Sequence, residues 1–192
     1  MKVLKFGGTS VANSKSLSKV IEILKSQSEP IVVVVSALGG VTDLLLGMLK
    51  LALERKENFK DNLDEIEKRH LEPIKACIPI QNQSGIISFL KNHLNELESR
   101  LDAIFLLEEV TVKNNATITS YGEILSSAII QEIFKYNGVE SVLKDARELI
   151  QTESSNNRDI VSEALSIKKI TAYFKENQSK VVLVPGFISS NA

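Results

Sequence analysis

The 192-residue sequence has no tryptophan, a single cysteine, four prolines, two histidines and only 5% aromatic residues. Each scarcity excludes something. One cysteine, Cys77, cannot make an internal disulfide framework, and this usage fits a reducing compartment. In that setting Cys77 reads as a small packed hydrophobe rather than a nucleophile. With so few aromatic rings there is no platform on which nucleic-acid bases could stack. Charge of one sign is missing as well. Lys and Arg number 23 against 24 Asp and Glu, for a net charge of −1, and the two signs are interleaved along the chain. A nucleic-acid or anionic-membrane footprint is therefore not expected. Long apolar runs are absent too: Ile31 to Val35 is far too short to span a bilayer. Met1-Lys2 leads directly into Val3-Leu4 with no signal-peptide core, so a native cytoplasmic start is expected.

What is present is the patterning of an α/β domain. Val3 to Phe6 forms a short apolar run broken by Gly7-Gly8. Asn13-Ser14 then stands as an N-cap before Leu17, Val20, Ile21 and Leu24 at helical spacing. Pro30 precedes a continuous β-branched run, Ile31 to Val35, which suits a central strand of a parallel sheet covered on both faces. Strand, helix and strand in that order make a βαβ unit. A helix from Val41 to Leu53 is predicted, with Leu44, Leu45, Met48, Leu49 and Ala52 inward. Residues 54–115 read as a helical insertion at one edge of the domain. Its first helix carries Leu63, Ile66, His70, Leu71 and Ile74 and ends near Pro73 and Pro79; its second carries Ile86, Leu90, Leu94, Leu97, Leu101 and Ile104. His70 and His93 lie in these helices and read as packing residues. A third periodic segment runs from Ile118 to Asn137, with Gly138 as its C′ residue. Val139 to Leu143 is a short candidate strand, Gln151 to Arg158 a polar loop, and two short helices are expected before the buried-strand run Lys180 to Val184.

Three constellations carry chemistry. In Lys5-Phe6-Gly7-Gly8-Thr9-Ser10, paired glycines after a strand let backbone N–H groups approach phosphate oxygens, and the lysine supplies a compact positive charge. The string is neither a Walker A loop nor G-x-G-x-x-G. A lysine in an otherwise apolar strand is expected to be buried and to need an anionic partner. Ser36-Ala37-Leu38-Gly39-Gly40-Val41-Thr42-Asp43 follows the Val-rich strand, at the end where open α/β sheets bind ligands. There Ser36 and Thr42 offer hydroxyls, although Thr42 could equally be a helix cap. Ser120-Tyr121-Gly122-Glu123 places a glycine, about 1 kcal/mol worse than alanine, inside an apolar helix, which suggests close approach by another group. Glu123 beside it could bind an ammonium or be an ordinary exposed carboxylate.

The string Lys5-Phe6-Gly7-Gly8-Thr9-Ser10-Val11-Ala12 resembles the N-terminal signature of aspartate kinases, within the amino-acid-kinase superfamily. The resemblance continues through Val34-Val35-Ser36-Ala37, Gly40-Val41-Thr42-Asp43-Leu44-Leu45, Tyr121-Gly122-Glu123 and Pro185-Gly186-Phe187-Ile188. It implies an α/β fold, a three-layer α/β/α sandwich with a mostly parallel central sheet, of which residues 1–192 are the N-terminal, aspartate-binding part. It implies phosphoryl transfer from ATP, with Mg²⁺, to the β-carboxylate of L-aspartate, giving 4-phospho-L-aspartate for lysine, threonine and methionine synthesis. Carried over by motif, Lys5 is the catalytic contact to the transferring phosphoryl group, and Gly7, Gly8, Thr9 and Ser10 complete the phosphate-binding loop. Ser36 and Thr42 line the aspartate pocket, Glu123 holds the α-ammonium, and Phe187 closes the pocket. No metal ligand is assigned.

Family members continue to a G-R-G-G-S-D-type segment, a nucleotide half and regulatory ACT domains. None is present in this sequence, so these 192 residues alone are expected to be inactive. The beginning is similar to bifunctional aspartokinase/homoserine dehydrogenases, and a homo-oligomer is implied for the longer protein. Aspartate's β-carboxylate, with an ordinary pKa of about 3.9, is already ionised and needs no general base, so the lack of a catalytic His or Cys fits. Two other readings stay open: a kinase for glutamate or N-acetylglutamate, which Thr9-Ser10 after Gly7-Gly8 speaks against, and a non-catalytic folding module. A nicotinamide-binding domain lacks its glycine fingerprint.

Overall fold

A computed structural model describes residues 1–155 and 158–191. Four parallel strands form the central sheet: β1 (Lys2–Phe6), β2 (Ile31–Val35), β3 (Val142–Leu143) and β6 (Val181–Pro185), in the order β1-β2-β6-β3. β2 lies between β1 and β6, with Val33 opposite Leu4 on one side and Leu183 on the other. Its β-branched run is explained by that position, because both of its faces are covered. Ile31, Val33 and Val35 point into the larger core with Val181 and Leu183. Val32 and Val34 point the other way, with Val182 and Val184. This alternation is the period-two geometry of a strand applied to a sheet buried on both sides.

Helices α1 (Ser14–Lys25), α2 (Val41–Leu53) and α5 (Val112–Tyr136) contribute to the first face. Asn13 caps α1 by accepting from the Ser16 N–H at 3.0 Å. α3 (Phe59–Cys77) and α4 (Gln83–Leu107) pack on α2 and α5, extending the same core outward through Phe59, Ile66, Leu90, Leu97 and Leu101. The opposite face is covered by α6 (Glu163–Glu176), whose Tyr173 and Phe174 lie over Val182 and Val184. Helix layer, sheet and helix layer make the three-layer α/β/α arrangement. A second small sheet, β5-β4-β7, is built from β4 (Gln151–Ser155), β5 (Arg158–Val161) and β7 (Ser190–Asn191). No helix among the described residues is long and apolar enough to cross a membrane.

Several boundaries differ from the sequence expectation. α3 runs through Pro73 to Cys77, because Pro73 and Ile74 are buried and the bond lost at proline falls near the helix end. α5 begins at Val112, capped by Thr111, six residues before the first inward residue; its opening turn is exposed and so carries no apolar signal. Of the strand expected over Val139 to Leu143, only Val142 and Leu143 pair with β6. One helix, α6, replaces the two short ones. The polar loop expected over Gln151 to Arg158 is strand β4 and the start of β5, with residues 156 and 157 outside the described residues. Polar residues satisfy this sheet: the Gln151 N–H donates to the Ser166 hydroxyl at 3.0 Å, and the Thr152 hydroxyl to the Ser190 carbonyl at 3.2 Å. Alternating hydrophobicity was therefore absent.

His70 is fully buried in α3, its Nδ1 2.7 Å from the Ile66 carbonyl and its Nε2 without a partner among the described residues. Burial lowers its pKa to about 4, opposed by the Ile66 hydrogen bond and helped by the Arg69 charge. Between the ordinary value of about 6.5 and about 4, the unfolded chain binds this proton and the folded chain does not. His70 therefore lowers stability as pH falls through that window, by about 3 kcal/mol at its lower end. In chemical denaturation, His70→Gln is expected to flatten the stability loss between pH 6.5 and 4 relative to wild type. Parallel profiles would show that His70 does not drive it.

Candidate active site

Three loops leave the carboxyl ends of neighbouring parallel strands and meet there. β1 ends at Phe6 and gives Gly7-Gly8, β2 ends at Val35 and gives Ser36 to Gly40, and β6 ends at Pro185 and gives Gly186-Phe187. They are tied together by main-chain bonds: Ser36 N–H to the Phe6 carbonyl at 3.3 Å, and Gly186 N–H to the Val35 carbonyl at 2.7 Å. In an open α/β sheet this is the end where a ligand finds a crevice and helix N-termini together.

The Gly7-Gly8 turn has two different glycines. A Cβ on Gly8 would stand 2.9 Å from the Ala37 carbonyl, so Gly8 is bare because the second loop rests on it. Nothing lies within 4 Å of a Cβ built on Gly7, which faces open space. Neither amide donates to a backbone oxygen outside the regular elements among the described residues. Thr9 and Ser10 are exposed in the short 3₁₀ turn that follows. Lys5 departs from expectation. It is exposed, because β1 is an edge strand and α6 does not reach over its outer face, where Val3 is also 68% exposed. It makes no ion pair among the described residues, so no protein carboxylate neutralises it.

The second loop is held from behind by α5. Glu123, 4% exposed, points at its backbone and accepts from the Ala37 N–H at 3.4 Å. The Ser126 hydroxyl, one turn further along the same helix face, donates to the Ser36 carbonyl at 2.9 Å. Gly122 lets α5 approach this closely: a Cβ there would be 2.8 Å from the Ala37 Cβ. The group that approaches Gly122 is thus the protein's own β2–α2 loop. The hydroxyls of Ser36 and Thr42, both half-buried, donate to no protein group among the described residues. Gly40, not Thr42, is the N-cap of α2, and no side chain caps that helix.

Glu123 is unusual electrostatically. Burial raises its pKa, opposed by the Ala37 N–H and its own backbone N–H, and among the described residues it has no cationic partner. A buried carboxylate in that state is costly unless something positive is delivered to it. Phe187, by contrast, is 92% exposed, in a left-handed conformation with φ 59° that is rare for a bulky residue. Its ring lies in solvent rather than packed on the three loops. Cys77 is remote in α3, half-buried, its thiol pushed up by burial and then by Glu72, which suits no nucleophile. Among the described residues no group of three or more His, Cys, Asp or Glu is gathered to hold a metal ion.

The structure thus brings the Phe6 and Gly8 backbone, the Ser36-Ala37 backbone and the Glu123–Ser126 face of α5 into contact, with Lys5, Gly7 and Thr42 on the adjoining strand, turn and helix start. Ser126 escaped the sequence reading. Its signal was a second polar residue three positions after Glu123 on the buried face of an otherwise apolar helix.

Known proteins resemble this chain along its whole length. The chain is 33% identical over 191 residues to an aspartokinase from Chlamydia pneumoniae, covering 98% of this chain and 39% of that protein. It is 28% identical over 190 residues to the chloroplastic bifunctional aspartokinase/homoserine dehydrogenase 2 of Arabidopsis thaliana, covering 98% of this chain and 21% of that one. Escherichia coli aspartokinase III, solved in complex with aspartate and ADP, superposes on the whole chain with a TM-score of 0.86 at 23% identity, over 41% of its own length. The chain therefore spans between about a fifth and two fifths of the relatives it matches. The model of the amino acid kinase family matches residues 1–192, and the chain belongs to that family.

Proposed function

We propose that this chain is the acceptor-binding portion of an aspartate kinase, which transfers the γ-phosphoryl group of ATP to the β-carboxylate of L-aspartate. The observation that carries the reading is Glu123: a buried carboxylate with no cationic partner among the described residues, beside the loop that bears Ser36. An α-amino acid supplies the missing cation as its ammonium. Ser36 and Thr42, whose hydroxyls donate to no protein group among the described residues, bind its carboxylates, and Phe187 folds over it. Lys5, exposed and without an ion pair among the described residues, contacts the transferring phosphoryl group, while the Gly7 and Gly8 amides cradle it with Thr9 and Ser10 alongside. The ADP in the aspartokinase III complex supports nucleotide as the donor's product. Mg²⁺, when bound with the nucleotide, supplies charge neutralisation at the phosphates; the described residues gather no group of three or more His, Cys, Asp or Glu to hold it.

The acceptor carboxylate is ionised at neutral pH, so the work left to these residues is orientation and charge placement. Ammonium–Glu123 pairing fixes one end of the amino acid. The length from the α-carbon to the reactive carboxylate then decides whether that carboxylate reaches the phosphoryl group, which separates aspartate from glutamate.

The 192-residue polypeptide by itself is expected to show no phosphotransfer, since the sequence contains no G-R-G-G-S-D-type segment. In isothermal titration the full-length protein is expected to bind L-aspartate and to reject L-glutamate. Equal or stronger binding of glutamate or N-acetylglutamate would assign another acceptor. Near-native turnover by the 192-residue polypeptide would refute its role as a portion only.

A further inference from the structure

The site has a support that comes from α3. The Arg69 guanidinium donates through Nη1 to the Gly39 carbonyl at 2.7 Å, and through Nε to Glu65 at 2.8 Å. Glu65 stands one turn earlier on the same helix, so the pair locks the guanidinium plane before it reaches the loop. Gly40 carries φ 77°, a left-handed value, and a Cβ there would lie 2.5 Å from Nη1. The turn is thus bare at the point where Arg69 crosses it. On its other side, a Cβ on Gly39 would meet the Ala12 Cβ at 3.1 Å and the Gly8 carbonyl at 3.4 Å. Gly39-Gly40 is therefore held between α3 and the phosphate-loop glycines.

Helix stability does not explain the arrangement. A guanidinium beside Gly40, the N-cap of α2, faces the positive end of that helix dipole, which is the unfavourable sign. What the contact does fix is the path of the chain between Ser36 and Thr42.

We propose that Arg69 is a positioning residue for the amino-acid pocket: it pins the Gly39-Gly40 turn against Gly8 and so sets where Ser36 and Thr42 present their hydroxyls. The proposal rests on the reading of that loop as the acceptor pocket. It acts through the backbone, and Arg69 itself touches no substrate.

The test compares wild type, Arg69→Met and Arg69→Lys in the full-length protein by amide hydrogen exchange over residues 36–42, L-aspartate affinity and melting temperature. Arg69→Met is expected to speed exchange in that loop and to weaken aspartate binding by about tenfold or more, with little change in melting temperature. Arg69→Lys, which still reaches the carbonyl but loses the planar fork with Glu65, is expected to recover part of both. Faster exchange with unchanged aspartate affinity overturns the positioning role, as does unchanged exchange. Faster exchange in a protein whose wild type binds no aspartate supports the pinning of the turn and removes the pocket reading instead.

Discussion

Lys5→Ala in the full-length enzyme is expected to lower kcat by about two to three orders of magnitude, the usual loss when one preorganised charge-stabilising donor is removed. The KM for aspartate should move much less, because the proposed contact is to the phosphoryl group rather than to the acceptor. The competing account, a lysine paired to a carboxylate for stability, is disfavoured by the geometry. Lys5 is exposed on an edge strand and forms no ion pair among the described residues. Its removal therefore leaves no buried partner unpaired, and the melting temperature should stay where it was. Steady-state kinetics with a thermal melt decide the matter. A mutant with normal kcat and a lower melting temperature would return Lys5 to a structural role.

Glu123→Gln should move stability and binding in opposite directions. The substitution keeps the side chain's shape and its acceptor for the Ala37 N–H, and deletes only the charge. Loss of the ammonium partner is expected to weaken L-aspartate binding by about 1.5–3 kcal/mol, the scale of a hydrogen bond to a charged group. The KM for ATP should hardly change. Stability runs the other way. Burial raises the folded-state pKa of Glu123, so folding favours its protonated form. That contribution is present below the ordinary carboxyl value and is lost as pH rises through the raised one. Above the raised pKa the ligand-free protein carries the cost of an ionised buried group, and there Glu123→Gln should melt higher. For the same reason, wild-type aspartate affinity should fall as the pH is lowered through the raised pKa, whereas the Gln variant should lack that step. Calorimetric titration across pH and a ligand-free melt read both effects. An unchanged aspartate affinity would place Glu123 outside the pocket.

The local signals in the sequence were of the kind a single segment can carry. The β-branched run Ile31 to Val35 suited a strand covered on both faces, Asn13 marked a helix start by its capping side chain, and Gly138 marked a helix end by its left-handed backbone. The K-F-G-G-T-S string marked the end of β1 and the turn after it within six residues. What tertiary structure decided was everything that depends on two segments meeting. Lys5 lies open rather than buried, since strand order puts β1 at the edge. Gly122 serves the approach of Ala37, a residue 85 positions away in the chain. Polar β4 is a strand because Ser166 and Ser190 satisfy it across the fold. Arg69, in a helix with no motif, reaches the Gly39 carbonyl 30 residues upstream. Hydrophobic periodicity reports which face of one element is buried, whereas a hydrogen bond between distant segments leaves no periodic trace in either of them.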